Sequence, residues 1–201
     1  MSIKLRLRLM VKLIVEPLQR IFACCDTLIT AADVASASRF QNESRRTEHL
    51  AWRRIVRREL GREVVIDYNS VGAPIVDSPN TYISVSHTSR GVAVAISDGP
   101  VGVDIESLAR GFDRVASRYL SPEESQLSDD ARWAAMVWSA KEAMYKLYGL
   151  KGVDLINDLS ITSYDASEGC IYGSMRGLKG AKVELSTFDE DMIVAVATYI
   201  I

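Results

Sequence analysis

The sequence predicts an α+β fold of two similar halves, residues 1–100 and 101–201, that form a pseudo-dimer with a site at their seam. Three observations carry that expectation. Each half offers one long helical pattern among several short strand patterns. Val92-Ala93-Val94-Ala95 recurs as Val194-Ala195-Val196-Ala197, and Ile83-Ser84 is answered by Leu185-Ser186 at the same offset. Charge is divided too: residues 1–100 carry 14 Lys+Arg against 10 Asp+Glu, and residues 101–201 carry 10 against 16. A basic half beside an acidic half suits a site that grips phosphates from one side and a metal ion from the other.

The elements follow in chain order. Lys4, Arg6 and Arg8 alternate with Ile3, Leu5, Leu7 and Leu9, the period-two pattern of a half-buried strand. A secretory leader would separate its charged and apolar regions, and an organelle presequence is the minor alternative. A helix is expected over 43–60, with Asn42 or Ser44 as its cap and Gly61 as its end. Leu50, Trp52, Ile55, Val56 and Leu60 form its buried stripe. Arg45, Arg46, Arg53, Arg54, Arg57 and Arg58 read as a mostly solvated face. Next come a strand at Glu63–Tyr68, a turn at Gly72-Ala73-Pro74, and strands at Tyr82–Ser86, Gly91–Ser97 and Val101–Glu106. Ser121-Pro122-Glu123-Glu124 is a helix start with a capping box and proline at the first position. A longer helix is expected over 130–148, stopping at Gly149, and four strands near 159–164, 169–175, 181–187 and 192–200.

Composition sets bounds on function. Hydrophobic residues make up 48% of the chain, enough for a buried core, and a net charge of −2 argues against a general nucleic-acid binder. No apolar run is long enough to span a bilayer. Cys24 and Cys25 are adjacent, Cys170 stands alone, and no zinc spacing occurs. This usage predicts reduced thiols and a cytoplasmic protein. Internal duplication would make a monomer sufficient.

Two segments carry the chemistry. On a strand at Val101–Glu106, Val101, Val103 and Ile105 share the core face, while Gly102, Asp104 and Glu106 share the other. Two carboxylates so placed repel unless water or a cation lies between them. Gly102 allows a ligand or another backbone to approach closely. Downstream, Trp138-Ser139-Ala140-Lys141-Glu142-Ala143-Met144-Tyr145-Lys146 puts Glu142 and Lys146 on one helix face, within an otherwise apolar helix. Glu142 would complete a set of three carboxylates for a hard cation such as Mg²⁺, and Lys141 and Lys146 would neutralise phosphate oxygens.

Val-Gly-Val-Asp-Ile-Glu at 101–106 followed by Trp-Ser-Ala-Lys-Glu-Ala-Met-Tyr-Lys at 138–146 resembles the paired signature of the 4′-phosphopantetheinyl transferases. Ile83-Ser84-Val85-Ser86-His87-Thr88 is similar to the family's serine-histidine strand, and Gly72-Ala73-Pro74 to its Gly-Lys-Pro turn. Chain length and duplication resemble the surfactin-synthetase-activating, pseudo-dimeric type. The resemblance implies transfer of phosphopantetheine from coenzyme A to a serine of an apo acyl or peptidyl carrier protein. It implies Mg²⁺ on Asp104, Glu106 and Glu142, phosphate contacts from Lys141 and Lys146, and proton acceptance by Glu142. It also implies that Arg46 and His87, assisted by Ser86, hold the coenzyme's 3′-phosphate region. Ala73 departs from the family's turn lysine, so that a basic contact is either missing or supplied by another arginine such as Arg45. Two other readings stand beside this one: a non-catalytic binding relative, and an Mg²⁺-dependent phosphohydrolase.

Overall fold

The computed structural model describes residues 9–18 and 26–200. The strand expected at 3–9 lies, Leu9 apart, outside the described residues, as do Cys24 and Cys25. The described strand β1 is Val11–Pro17. A short helix α1, Ala31–Ala37, follows, started by a capping box between Thr30 and Asp33. Helix α2, Glu43–Leu60, starts where Asn42 accepts from the Arg45 amide and ends at Gly61, whose φ of 109° suits glycine. A small hairpin pairs β2 (Ile66–Tyr68) with β3 (Pro74–Val76). Glu63–Val65, expected as strand, instead holds a turn from Gly61 to Val64, and the Val65 amide donates to Asp77. Strands β4 (Tyr82–His87), β5 (Gly91–Ser97) and β6 (Val101–Ser107) come next. A 3-10 segment at Phe112–Arg118 and the one-turn helix α3 (Pro122–Ser125) lead to α4 (Trp133–Tyr148). Strands β7 (Leu159–Asp165), β8 (Cys170–Met175), β9 (Gly180–Phe188) and β10 (Met192–Tyr199) complete the fold.

The mixed α+β class is as expected. The first sheet has the order β1-β5-β4 and the second the order β6-β10-β9-β8-β7, with all neighbours antiparallel. In each half, the first strand and the last two therefore share one arrangement. The two Val-Ala quartets occupy the middle strands β5 and β10. The dipeptides are not structural counterparts, however. Ser84 faces Ala95, whereas Ala197, at the quartet position of Ala95, faces Val183 rather than Ser186.

A long helix covers each sheet. Trp52, Ile55 and Val56 of α2 bury against Ile83, Val92 and Val94. Val137, Ala140, Met144 and Leu147 of α4 bury against Ile171, Val183, Ala195 and Ala197. A third cluster joins the halves: Ala93 and Ala95 of β5 pack on Val101, Val103 and Ile105 of β6 and on Val194 and Val196 of β10. This is the core face the alternation in β6 predicts, and it packs the two sheets together at the seam.

The arginine face of α2 differs from expectation, because Arg53, Arg54 and Arg57 are buried. Arg53 reaches the fully buried Asp33 at 3.0 Å, and Arg57 grips the same carboxylate at 2.7 Å. Burial alone would raise the Asp33 pKa. Donors from Arg57, Thr30 and Arg53 overcome that and hold it well below the usual carboxylate range. The ionic cluster fastens α1 to α2. Among the described residues, no helix is long and apolar enough to cross a membrane.

Candidate active site

Strand β6 is the free edge of the five-stranded sheet, and two side chains cap that edge. The Val103 amide donates to Ser84 Oγ at 3.0 Å, and Lys146 Nζ donates to the Val103 carbonyl at 2.8 Å. Helix α4 crosses directly over Gly102. A Cβ there would collide with the Ala143 carbonyl and come within 2.7 Å of the Leu147 amide. The glycine at this motif position therefore admits a helix backbone, and the helix brings its own residues to the strand.

Trp138, Glu142 and Lys146 are spaced four residues apart and line the face of α4 above β6. The indole of Trp138 donates to Glu106 Oε1 at 2.9 Å, and Arg110 binds the same oxygen. Lys146 donates to Asp104 Oδ1 at 2.9 Å, and Ser86 Oγ donates to that oxygen at 2.9 Å. Asp104 Oδ2 is buried and has no partner. Such an orphan costs about 1–3 kcal/mol unless a ligand completes it.

The electrostatics point the same way. Burial raises the pKa of Glu106, with Asp104 adding to the effect and Arg110 opposing it. Burial also raises that of Glu142, against the lowering influence of Lys146, and repulsion from Asp104 and Glu106 adds to it. Three carboxylates thus feel one another, with one lysine partly compensating. No ready-made cage of three acidic, histidine or cysteine ligands exists among the described residues. Lys146 holds one oxygen of Asp104 and leaves the other bare. Hard oxygen donors, mutual repulsion and an orphan oxygen fit a divalent cation that shares its coordination sphere with a phosphate.

The remaining predicted residues divide sharply. Ser86 lies in the cluster through Asp104. His87 lies beside it, where Nδ1 meets Glu48 at 3.1 Å. Arg46 does not approach His87; its Nε donates to the Phe40 carbonyl and the side chain is exposed. The α2 residue that meets His87 is Glu48, which sequence reasoning missed. Lys141 does not join the phosphate-facing group either. It is fully buried on the core side of α4 and donates to Glu124 and to the carbonyls of Tyr119 and Leu155. One position separates it from Glu142, and on a helix that step of about 100° turns it away. Trp138 was read only as apolar, although its four-residue spacing to Glu142 was the signal for its polar contact.

A cavity of about 380 Å³ opens beside Lys146 and runs between the halves. Lys146, Tyr145 and Leu150 line it from one half. His87, Trp52, Tyr68, Phe40 and the Gly72-Ala73-Pro74 turn line it from the other.

Residues 100–197 match the family model of the 4′-phosphopantetheinyl transferase superfamily. That span begins at β6, ends on β10, and carries Asp104, Glu106, Glu142 and Lys146. The match covers 98 of the 201 residues, slightly less than half of the chain. Among curated relatives, the chain is 34% identical over 98 residues to the 4′-phosphopantetheinyl transferase psf-1 of Bacillus pumilus, covering 45% of this chain and 42% of the relative. It is 32% identical over 91 residues to a 4′-phosphopantetheinyl transferase of Bacillus subtilis, covering 42% and 40%. It is 27% identical over 115 residues to the 4′-phosphopantetheinyl transferase Sfp of Bacillus subtilis strain 168, covering 50% and 51%. The matched segments thus span two fifths to one half of these relatives. The resemblance drawn from the motifs, including its surfactin-activating type, agrees with these matches.

Proposed function

We propose that the protein transfers the 4′-phosphopantetheine group of coenzyme A to a serine hydroxyl of an apo acyl or peptidyl carrier protein, in an Mg²⁺-dependent reaction. One observation supports this most: the bare Asp104 Oδ2 beside Glu106 and Glu142, with Lys146 lining a cavity of about 380 Å³. Asp104, Glu106 and Glu142 would hold Mg²⁺, which when bound neutralises charge on the pyrophosphate.

The chain's own groups supply the rest. Lys146 would turn its ammonium from Asp104 to a phosphate oxygen and stabilise charge that develops as the bond breaks. Glu142 would accept the serine proton, because burial and its acidic neighbours raise its affinity for one. The serine oxygen forms a bond to the pantetheine-side phosphorus, the bridging P–O bond breaks, and adenosine 3′,5′-bisphosphate departs. Ser86 and Trp138 would fix the orientations of Asp104 and Glu106. Lys141 acts as a structural tie in this account.

Residues 1–100 and 101–201 are taken as two parts of a pseudo-dimer with the site at their seam, so one chain suffices. Carrier proteins are commonly acidic, and Arg39, Arg45 and Arg46 are exposed near the start of α2, where they would favour encounter. The test is intact-mass analysis of several apo carriers after incubation with coenzyme A, Mg²⁺ and the protein. A single phosphopantetheine added to a serine is expected. Unchanged mass for every carrier, with coenzyme A bound, favours a binding relative. Phosphate or nucleotide released without a carrier favours a hydrolase.

A further inference from the structure

His87 ends β4 and lines the same cavity as Lys146. Its Nδ1 meets Oε2 of Glu48 at 3.1 Å. Glu48 is not itself a lining residue; it reaches the cavity only through this ring. Its side chain is 7% exposed, and Ser44 Oγ donates to its other oxygen, Oε1, at 3.2 Å. Arg45 also meets Oε2, but its own side chain is 59% exposed, so water competes for that pair and it contributes little. The imidazole is the shielded partner of the carboxylate.

A hydrogen bond at one ring nitrogen fixes the use of the other. With Nδ1 turned to Glu48, Nε2 is the nitrogen left for the cavity. In the neutral ring Nδ1 carries the proton, and Nε2 is a bare acceptor that a phosphate would avoid. A second proton makes Nε2 a charged donor. The charged groups that act on the ring are Glu48 and Arg45 from α2 and Lys146 from α4. Burial lowers its pKa, Arg45 and Lys146 lower it further, and Glu48 opposes them. An incoming phosphate would add a second negative charge on the cavity side and tip that balance. His49 stays neutral throughout, its pKa pushed down to about 4 by burial.

We infer that Glu48 is a positioning residue for the donor: it holds the His87 ring with Nε2 toward the cavity, so that the ring takes up a proton from solvent and donates it in a hydrogen bond to a donor phosphate. The inference rests on the proposed function for placing the phosphates of coenzyme A in this cavity. Glu48 touches neither donor nor metal. It plays the part of a buried carboxylate behind an imidazole, which orients the ring and stabilises the imidazolium without taking its proton. The device supplies a cation on demand to a cavity whose turn presents Ala73.

The chain has two histidines, so NMR titration of the rings reads the proton on His87 directly, with His87→Gln for assignment. The probe is adenosine 3′,5′-bisphosphate. In the wild type, bound nucleotide is expected to raise the proton affinity of His87 about tenfold or more. Glu48→Gln is expected to lower that affinity in the free protein and to weaken nucleotide binding near neutral pH about tenfold. The advantage of the wild type should shrink as pH rises, since the proton that supports it is then lost; protonation of the nucleotide itself is common to both proteins. A His87 titration that nucleotide does not move overturns the inference. So does a Glu48→Gln variant that binds as the wild type does at every pH. Should that variant fail to fold, the wild-type titration decides alone. Carrier labelling with an unmoved titration sinks only the inference, and a moved titration with no carrier ever labelled sinks only the proposed transfer.

Discussion

Lys141 and Lys146 stand five residues apart on the same helix and behave as opposites. Lys141 is fully buried, and Glu124 and two carbonyls satisfy its three protons. Glu124 is equally complete: it also accepts from the amides of Ser121 and Ile161. Lys146 is about a quarter exposed, and its partner Asp104 keeps one oxygen bare. A charge embedded in an apolar helix does not by itself mark a site. Completeness of partnership separates the two roles: the saturated pair ties α3, α4 and β7 together, and the unsaturated pair awaits a ligand.

The largest effects should come from breaking the unsaturated side. Asp104→Ala and Glu142→Gln are each expected to lower carrier labelling by about a thousandfold or more. The melting temperature of Glu142→Gln should match the wild type or exceed it, since the change removes buried repulsion, and that of Asp104→Ala should fall only modestly, the lost contacts to Ser86 and Lys146 being offset by relief of repulsion and of the orphan oxygen. Retained activity in both would remove the site. Next, Lys141→Met leaves Glu124 buried and unpaired, which should cost about 3–5 kcal/mol in denaturant unfolding. Lys146→Met should cost less stability than Lys141→Met, because Lys146 is about a quarter exposed and Ser86 still donates to Asp104, while lowering kcat about 10- to 100-fold. If the two lysine variants exchanged these effects, the comparison would be reversed.

Gly102→Ala sharpens the same contrast from the strand side. It would push α4 off β6 at Ala143 and Leu147, with an expected loss of about 2–3 kcal/mol and a fall in activity from misplaced Glu142 and Lys146. A variant as stable as wild type would show that the close approach is not tight.

The smallest effect concerns pH. Burial holds His49 down to about 4, with Arg53 repelling its charge and Asp33 opposing that. Between its ordinary value near 6.5 and about 4, the unfolded chain binds a proton that the folded chain does not, so stability falls as the pH drops through that window. His49→Gln should flatten the unfolding free energy there by roughly 1–3 kcal/mol. An unchanged slope would place the titration elsewhere.

Elements with a strong local signal were legible in the sequence. The helix over 43–60, the capping box at Ser121 and the four final strands follow from periodicity and caps, and the structure has them within a few residues. The convergence of Asp104 with Glu142 and Lys146 was legible because their residue types leave few other uses. Long-range pairings were not. Asp33 meets Arg53 and Arg57 only because α1 folds back on α2, so those arginines read as a solvated face. The role of Lys141 depends on Glu124 and Leu155, which lie far from it in the chain. Glu48 was indistinct among the charges of α2 until β4 brought His87 to it. The equal offset of Ile83-Ser84 and Leu185-Ser186 misled, since strand register is set by hydrogen bonding and not by sequence distance.

Asp104, Glu106 and Glu142 are proposed to share one divalent ion with the pyrophosphate of the donor. Calorimetric titration of coenzyme A with and without Mg²⁺ tests it most directly. The prediction is binding at least about tenfold tighter with the metal, a gain abolished by Asp104→Ala. Equal affinity in both conditions, or a gain that survives the substitution, would contradict it.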